Sequence, residues 1–169
     1  MDTVDPSRKP ALKGAEKKEA FHRDAESRRI PFRYARPDAD IGNRRAIYFL
    51  GRTDILKAQV QIVPMGGEND LHYHPATDGF WWVIGGRVRF YDADGVIGEY
   101  GPGEGILMPR NARYWFETAD AGQELQLLQV GANLEKVPNK SIHINGRTRE
   151  ESTALRFNDP PAKRTPGVN

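Results

Sequence analysis

The chain has 169 residues, 25 basic and 23 acidic, for a net charge of +2, and it contains no cysteine. This length suits one domain of ordinary size with extensions, large enough to bury an adequate core without staples, and the missing thiols rule out a disulfide framework, a cysteine zinc site and a thiol nucleophile. Balanced charge gives no compositional ground for a nucleic-acid partner, and no run approaches the roughly 20 apolar residues of a membrane span, so a soluble, cytoplasmic protein is expected.

Residues 1–40 read as an N-terminal arm. Within it Ala15 to Arg29 is rich in Ala, Glu, Lys and Arg, which predicts an exposed helix without a broad apolar stripe. Ile30-Pro31-Phe32-Arg33-Tyr34, followed by Arg36-Pro37, predicts an extended segment whose apolar side chains pack on the domain or on a second subunit. A strand is expected from Arg45 to Leu50, broken by Gly51, and another from Asp54 to Val63, where Leu56, Ala58, Val60 and Ile62 alternate with Lys57, Gln59 and Gln61. Pro64-Met65-Gly66-Gly67 turns the chain into a strand carrying His72 and His74, and strands over 80–84 and 87–91 follow. Asp92-Ala93-Asp94-Gly95 is an Asp-Gly turn into Val96–Tyr100. Beyond the turn at Gly101–Gly105 come strands over 106–108, 113–117 and 124–130, with Ser141 to Asn145 as one more candidate and 146–169 as a polar C-terminal tail. No internal repeat is visible.

The chemistry concentrates in Gly66-Gly67-Glu68-Asn69-Asp70-Leu71-His72-Tyr73-His74. Two residues apart on a strand, His72 and His74 project to the same side with room for one metal ion between their imidazoles. Gly66 stands six before His72, Asp78 follows His74 closely, and Phe80-Trp81-Trp82-Val83-Ile84 leads into Gly85-Gly86. Later comes Gly103-Glu104-Gly105-Ile106-Leu107-Met108-Pro109-Arg110-Asn111-Ala112-Arg113-Tyr114. Over roughly residues 45 to 131 this resembles the two motifs of the cupin superfamily: a Gly, His-x-His and Glu, then Gly-Asp and Pro-x-Gly-x-x-His.

The resemblance implies an all-β fold, a cupin-type antiparallel β-barrel of jelly-roll type spanning 41–145, with the partly helical arm before it. It also implies a metal held by two His, a Glu and a last His, and pairing into a homodimer. Here Gly103 and Pro109 put Tyr114 at the last His, as a metal ligand or as a hydrogen-bond donor to substrate. The motif Glu falls on Asp78 when counted from His74 and on Gly79 when counted back from the Gly86-Arg87-Val88 hairpin, and one residue of slip exchanges every side chain between lumen and exterior. The count from His74 is preferred, so His72, His74 and Asp78 are the expected ligands of a divalent metal, Fe foremost, with Mn, Ni or Zn as alternatives.

Whichever register holds, one of Trp81 and Trp82 must face inward and supply a flat apolar wall. Among Arg87, Arg89, Arg110 and Arg113, a guanidinium in the mouth such as that of Arg89 would hold a substrate carboxylate. His22 and His143 read as surface or structural. Two His and one carboxylate form the set of non-haem Fe(II) oxygenases, so the expected function is a metal-dependent enzyme acting on a small aromatic or carboxylate molecule by oxygenase-type chemistry. The alternatives are a cupin isomerase or epimerase and a non-enzymatic binder of small molecules. No nucleic-acid or membrane partner is expected.

Overall fold

The alternating runs form strands because their apolar residues are β-branched or aromatic and recur at period two, which buries one line of side chains against a facing sheet. The computed structural model describes residues 14–134, 137, 140–144 and 154–158. The chain divides into two units, Met1–Pro31 and Phe32–Asn169. In the first unit α1 (Gly14–Ser27) buries no residue. Ion pairs one turn apart support it, Glu19 with Arg23 at 2.7 Å and Asp24 with Arg28 at 3.1 Å. Residues 1–13 and most of the expected tail lie outside the described residues.

The second unit contains β1 (Ala46–Arg52), β2 (Leu56–Val63), β3 (His72–Tyr73), β4 (Thr77–Gly85), β5 (Val88–Tyr91), β6 (Val96–Tyr100), β7 (Gly105–Met108), β8 (Trp115–Thr118), β9 (Leu125–Asn133), β10 (Ile142–His143) and β11 (Leu155–Phe157). One sheet has the order β11-β1-β2-β9-β4-β7, a second β6-β5-β8, and a third pairs β10 with β3. A bridge between His72 and Tyr114 joins the start of β8 to β3, continuing the second sheet into the third. Gly86, at φ +75°, carries the chain from one sheet to the other, and a Cβ there would lie 2.6 Å from the Glu124 carbonyl oxygen.

Val63, Trp81, Val83, Leu125 and Leu127 from the large sheet meet Val88, Phe90 and Phe116 from the smaller one in one buried cluster. The indole and the two phenyl rings pack at centroid distances of 5.1 to 5.9 Å, tilted or edge to face. Along β4 this leaves Phe80 43% and Trp82 40% exposed, against 1% for Trp81. Within the span expected as a polar C-terminal tail, β11 forms, and its Leu155 pairs in parallel with Ala46. Leu155 and Phe157 pack on a small cluster of Ile41, Ala46 and Ile62, which gives that segment a reason to become a strand.

The extended segment after the arm packs partly as expected. The Tyr34 hydroxyl donates to Gln126 Oε1 at 2.9 Å, and Arg36 is paired with Glu124 at 2.7 Å. Ile30 and Phe32, by contrast, remain 49% and 65% exposed.

Candidate functional site

His72 and Tyr114 sit directly opposite each other. The His72 N–H donates to the Tyr114 carbonyl at 3.1 Å and the Tyr114 N–H to the His72 carbonyl at 2.9 Å, so both side chains leave the same face. The loop that delivers Tyr114 bends at Asn111, whose φ of 68° occupies the left-handed region tolerated by Asn. Its N–H donates to the His74 carbonyl at 3.0 Å. The imidazole of His72 lies 4.6 Å from the Tyr114 ring and 5.1 Å from that of His74, nearly perpendicular to the latter.

A third imidazole joins them. β10 pairs with β3 so that His143 stands across from His72, and the two rings stack 5.4 Å apart. His143, read from the sequence as surface or structural, thus stands among the residues that line the cavity. The signal was the alternation Ile142-His143-Ile144, which puts His143 alone on one face, but two-residue β10 is too short to announce which face looks in.

These groups line a cavity of about 500 Å3 between the sheets, with Trp81, Gln59, Gln61 and Gln129 on the large sheet. His72 is 6% exposed, and burial lowers its pKa from 6.5 to about 4, against the backbone hydrogen bond to Asp70, which raises it. It is therefore neutral at ordinary pH. Its Nδ1–H donates to the Asp70 carbonyl at 2.7 Å, which fixes the tautomer and leaves the Nε2 lone pair for a ligand. Tyr114 is 3% exposed, and burial pushes its phenol above the ordinary value, countered in part by Arg45. The indole N–H of Trp81 approaches that hydroxyl without meeting strict hydrogen-bond geometry. The phenol keeps its proton and offers it as a donor.

The charge of the lining is one-sided. Arg45, Arg52, Lys57, Lys140 and Arg156 line the cavity, and none of its described lining residues is a carboxylate. Arg52 and Lys57 are cross-strand partners, so two cations stand side by side on the sheet.

Three expected site residues lie elsewhere. Asp78 is on the outer face of β4, where its carboxylate accepts the Arg110 N–H at 2.8 Å and pairs with the Arg110 guanidinium at 3.6 Å. Thr77 and Trp81 line the cavity and Gly79 shares their face, so the register counted back from the hairpin is the one adopted. A Cβ on Gly79 would meet Trp81 Nε1 at 3.2 Å and Met108 Cβ at 3.8 Å, so the indole crowds the place a motif glutamate would take. Trp82 stands outside, and Arg89 lies on the outer face of the small sheet, bonded to Glu99 Oε1 at 2.6 Å and Glu117 Oε1 at 3.3 Å.

Among solved structures the chain is similar to a protein with a double-stranded β-helix domain from Klebsiella pneumoniae, at TM-score 0.54 and 16% identity, with 65% of this chain and 85% of that one covered. It is similar also to an RmlC-like cupin family protein from Methanocaldococcus jannaschii, at TM-score 0.51 and 17% identity over 62% and 91% of the two chains. The DMSP lyase DddQ from Ruegeria pomeroyi matches at TM-score 0.53 and 20% identity over 85% of this chain and 74% of its own. The chain has the cupin fold. No protein-family model and no curated protein matches its sequence.

Within this cupin fold, His72 and His74 fit two positions of a borderline ion such as Zn, Ni or Fe(II), because the first has its Nε2 lone pair fixed and the second stands beside it. The expected three-ligand set with Asp78 does not assemble. Among the described residues no group of three His, Cys, Asp or Glu side chains is placed to hold an ion. Mn, which prefers oxygen ligands, suits such a nitrogen pair least.

Proposed function

We propose that this cupin binds a small organic acid in the cavity and acts on it by proton transfer, as an isomerase- or lyase-type enzyme. The observation that carries this reading is the lining: five cationic side chains and, among the described residues, no carboxylate, with Arg52 and Lys57 as cross-strand neighbours. A guanidinium or ammonium group there binds a carboxylate by charge-assisted hydrogen bonds. The reacting end of the molecule then faces Tyr114, His72 and His74. Tyr114, un-ionised, donates a hydrogen bond or proton to an oxygen that gains charge, in surroundings where burial strengthens the interaction. His72 is too weakly basic to serve as the base, so its part is to present Nε2 as a ligand, and proton uptake falls to the other imidazoles of the cavity, His74 when no metal is bound and otherwise His143. A divalent metal bound by His72 and His74 would supply Lewis-acid polarisation of a substrate oxygen.

Oxygenase chemistry has less support, because the carboxylate of the two-His-one-carboxylate set points to solvent at Asp78. The test is calorimetric titration with straight-chain carboxylates, amines and neutral amides of matched length, with and without Zn(II), followed by proton NMR in D2O. Carboxylates alone should bind, at least about tenfold more weakly to Arg52→Ala and Lys57→Ala, and a carbon-bound proton of a turned-over acid should exchange. No preference for carboxylates, or a preference indifferent to both substitutions, would overturn the reading.

A further inference from the structure

The wall opposite the imidazoles is made of carboxamides. Gln59 and Gln129 are cross-strand partners on β2 and β9, and Gln61 is the next inward residue along β2. Gln59 Nε2 donates to Gln129 Oε1 at 2.6 Å and Gln61 Nε2 donates to the same oxygen at 2.8 Å. Gln59 and Gln61 are each only 5% exposed, yet Gln59 Oε1 and Gln61 Oε1 have no hydrogen-bond partner among the described residues. Buried amides are ordinarily satisfied, and leaving two acceptors unmade is costly. An apolar wall at these positions would be the stable choice for a fold that only needed a core.

We infer that the organic acid bound here is hydroxylated, and that Gln59, Gln61 and Gln129 are the residues that recognise its hydroxyl groups; this rests on the reading that the cavity takes an organic acid. A hydroxyl donates and accepts at once. It therefore satisfies the wall as drawn, with two carbonyl oxygens to spare, and equally with all three amides reversed, which would leave two NH2 groups to spare. An ammonium serves only the first arrangement and is repelled by the five cations of the lining. A second carboxylate serves only the reversed one. A purely apolar tail leaves the wall unmatched in both, and sites built to bond a hydroxyl reject analogues that lack it.

The decisive probe is a matched series, hexanoate, 6-hydroxyhexanoate and gluconate, titrated calorimetrically into the wild-type protein. Gluconate should bind at least about tenfold more tightly than hexanoate, in line with buried amides left unpaired by the latter. In the double variant Gln59→Leu/Gln61→Leu that ratio should collapse towards one with hexanoate affinity kept and the melting temperature little changed, since two unpaired carbonyls are removed and one, Gln129 Oε1, is left without its donors. A merely structural trio would instead lower the melting temperature and leave the ratio alone. If the variant does not fold, the side-chain amide NMR resonances of the wild-type glutamines decide: they should shift with gluconate and not with hexanoate. Equal affinities for all three acids, a preference that survives in the double variant, or unmoved amide resonances would overturn the inference while leaving the organic-acid reading intact. If no member of the series binds, the organic-acid reading has failed and the inference falls with it.

Discussion

Acid should unfold this protein through His72. The unfolded chain takes up a proton there at about 6.5, whereas the native imidazole, buried and bonded to the Asp70 carbonyl, does so only near 4. Below pH 6.5 protons therefore favour the unfolded state. The contribution of the neutral, buried ring is complete above that pH, declines as pH falls, and levels off once pH passes about 4. At about 1.4 kcal/mol per pH unit, the gap between the two values amounts to about 3 kcal/mol, a large share of a small domain's stability. Urea unfolding in EDTA at a series of pH values would read it as a fall in the midpoint at constant m-value. The comparison that isolates the group is His72→Asn, whose amide N–H replaces the Nδ1–H bond to Asp70 but cannot be protonated. Carboxylates contribute equally to both proteins, so the wild type should lose about 3 kcal/mol more than the variant between pH 7 and 4. Parallel curves would mean that His72 is not buried as a neutral ring, and the tautomer argument for its Nε2 would fall too.

Other substitutions separate the cavity from its exterior. Asp78→Asn should leave metal content unchanged and cost less than about 1 kcal/mol, as for exposed ion pairs; loss of bound metal would return Asp78 to the ligand set. Trp81→Ala should cost about 3–5 kcal/mol in urea unfolding, as expected for a buried aromatic, while Trp82→Ala should cost less than about 1 kcal/mol and leave ligand affinity alone. The reverse order would mean that the register of β4 is wrong. His72→Ala and His74→Ala should each lower the metal per chain found by elemental analysis after loading with Zn(II), and unchanged stoichiometry in both would remove the imidazole pair as ligands.

The strands were legible because period-two runs and turn residues are local signals, and β4 through β9 fall where the alternation puts them. Which face of a strand looks inward is not local. In β2 both faces are buried: Val60 and Ile62 are fully covered on one side while Gln59 and Gln61 line the cavity on the other. The apolar line of that strand is thus the outer one, covered in part by Ile41 and β11, a partner more than ninety residues away in sequence. Asp78 misled for a related reason. Its distance from His74 suits a ligand, but pairing of Gly79 with Gly131 and Met108 sets the parity of β4 from two other strands. His143 was beyond reach because only its pairing with His72 reveals it as a cavity residue.

The register of the large sheet also explains why the core and the cavity share one inward face. Side by side stand Lys57, Gly131 and Gly79, with Arg52 beside Lys57; two residues further along each strand stand Gln59, Gln129 and Trp81; two further again, Gln61, Leu127 and Val83, with Ile47 beside Gln61. Val63 and Leu125 form the next level, fully buried. The first level is open because two adjacent members, Gly131 and Gly79, are glycines, and along β2, β9 and β4 polarity falls from charge to amide to hydrocarbon over about 7 Å per step, while Arg156, beside Ile47, places a cation again at the third level. A molecule entering past Arg52 and Lys57 meets those cations first, the amides next, and Arg156 and the apolar floor beyond them. A bifunctional acid can therefore lie with its hydroxyls at the amides and its carboxylate at a cation on either side of them, with Tyr114 and the imidazoles along the facing wall. Filling the first level should therefore block the cavity without touching any group that binds, which makes Gly131, where a Cβ would lie 3.0 Å from Thr77 Cγ2, the position at which size alone decides entry.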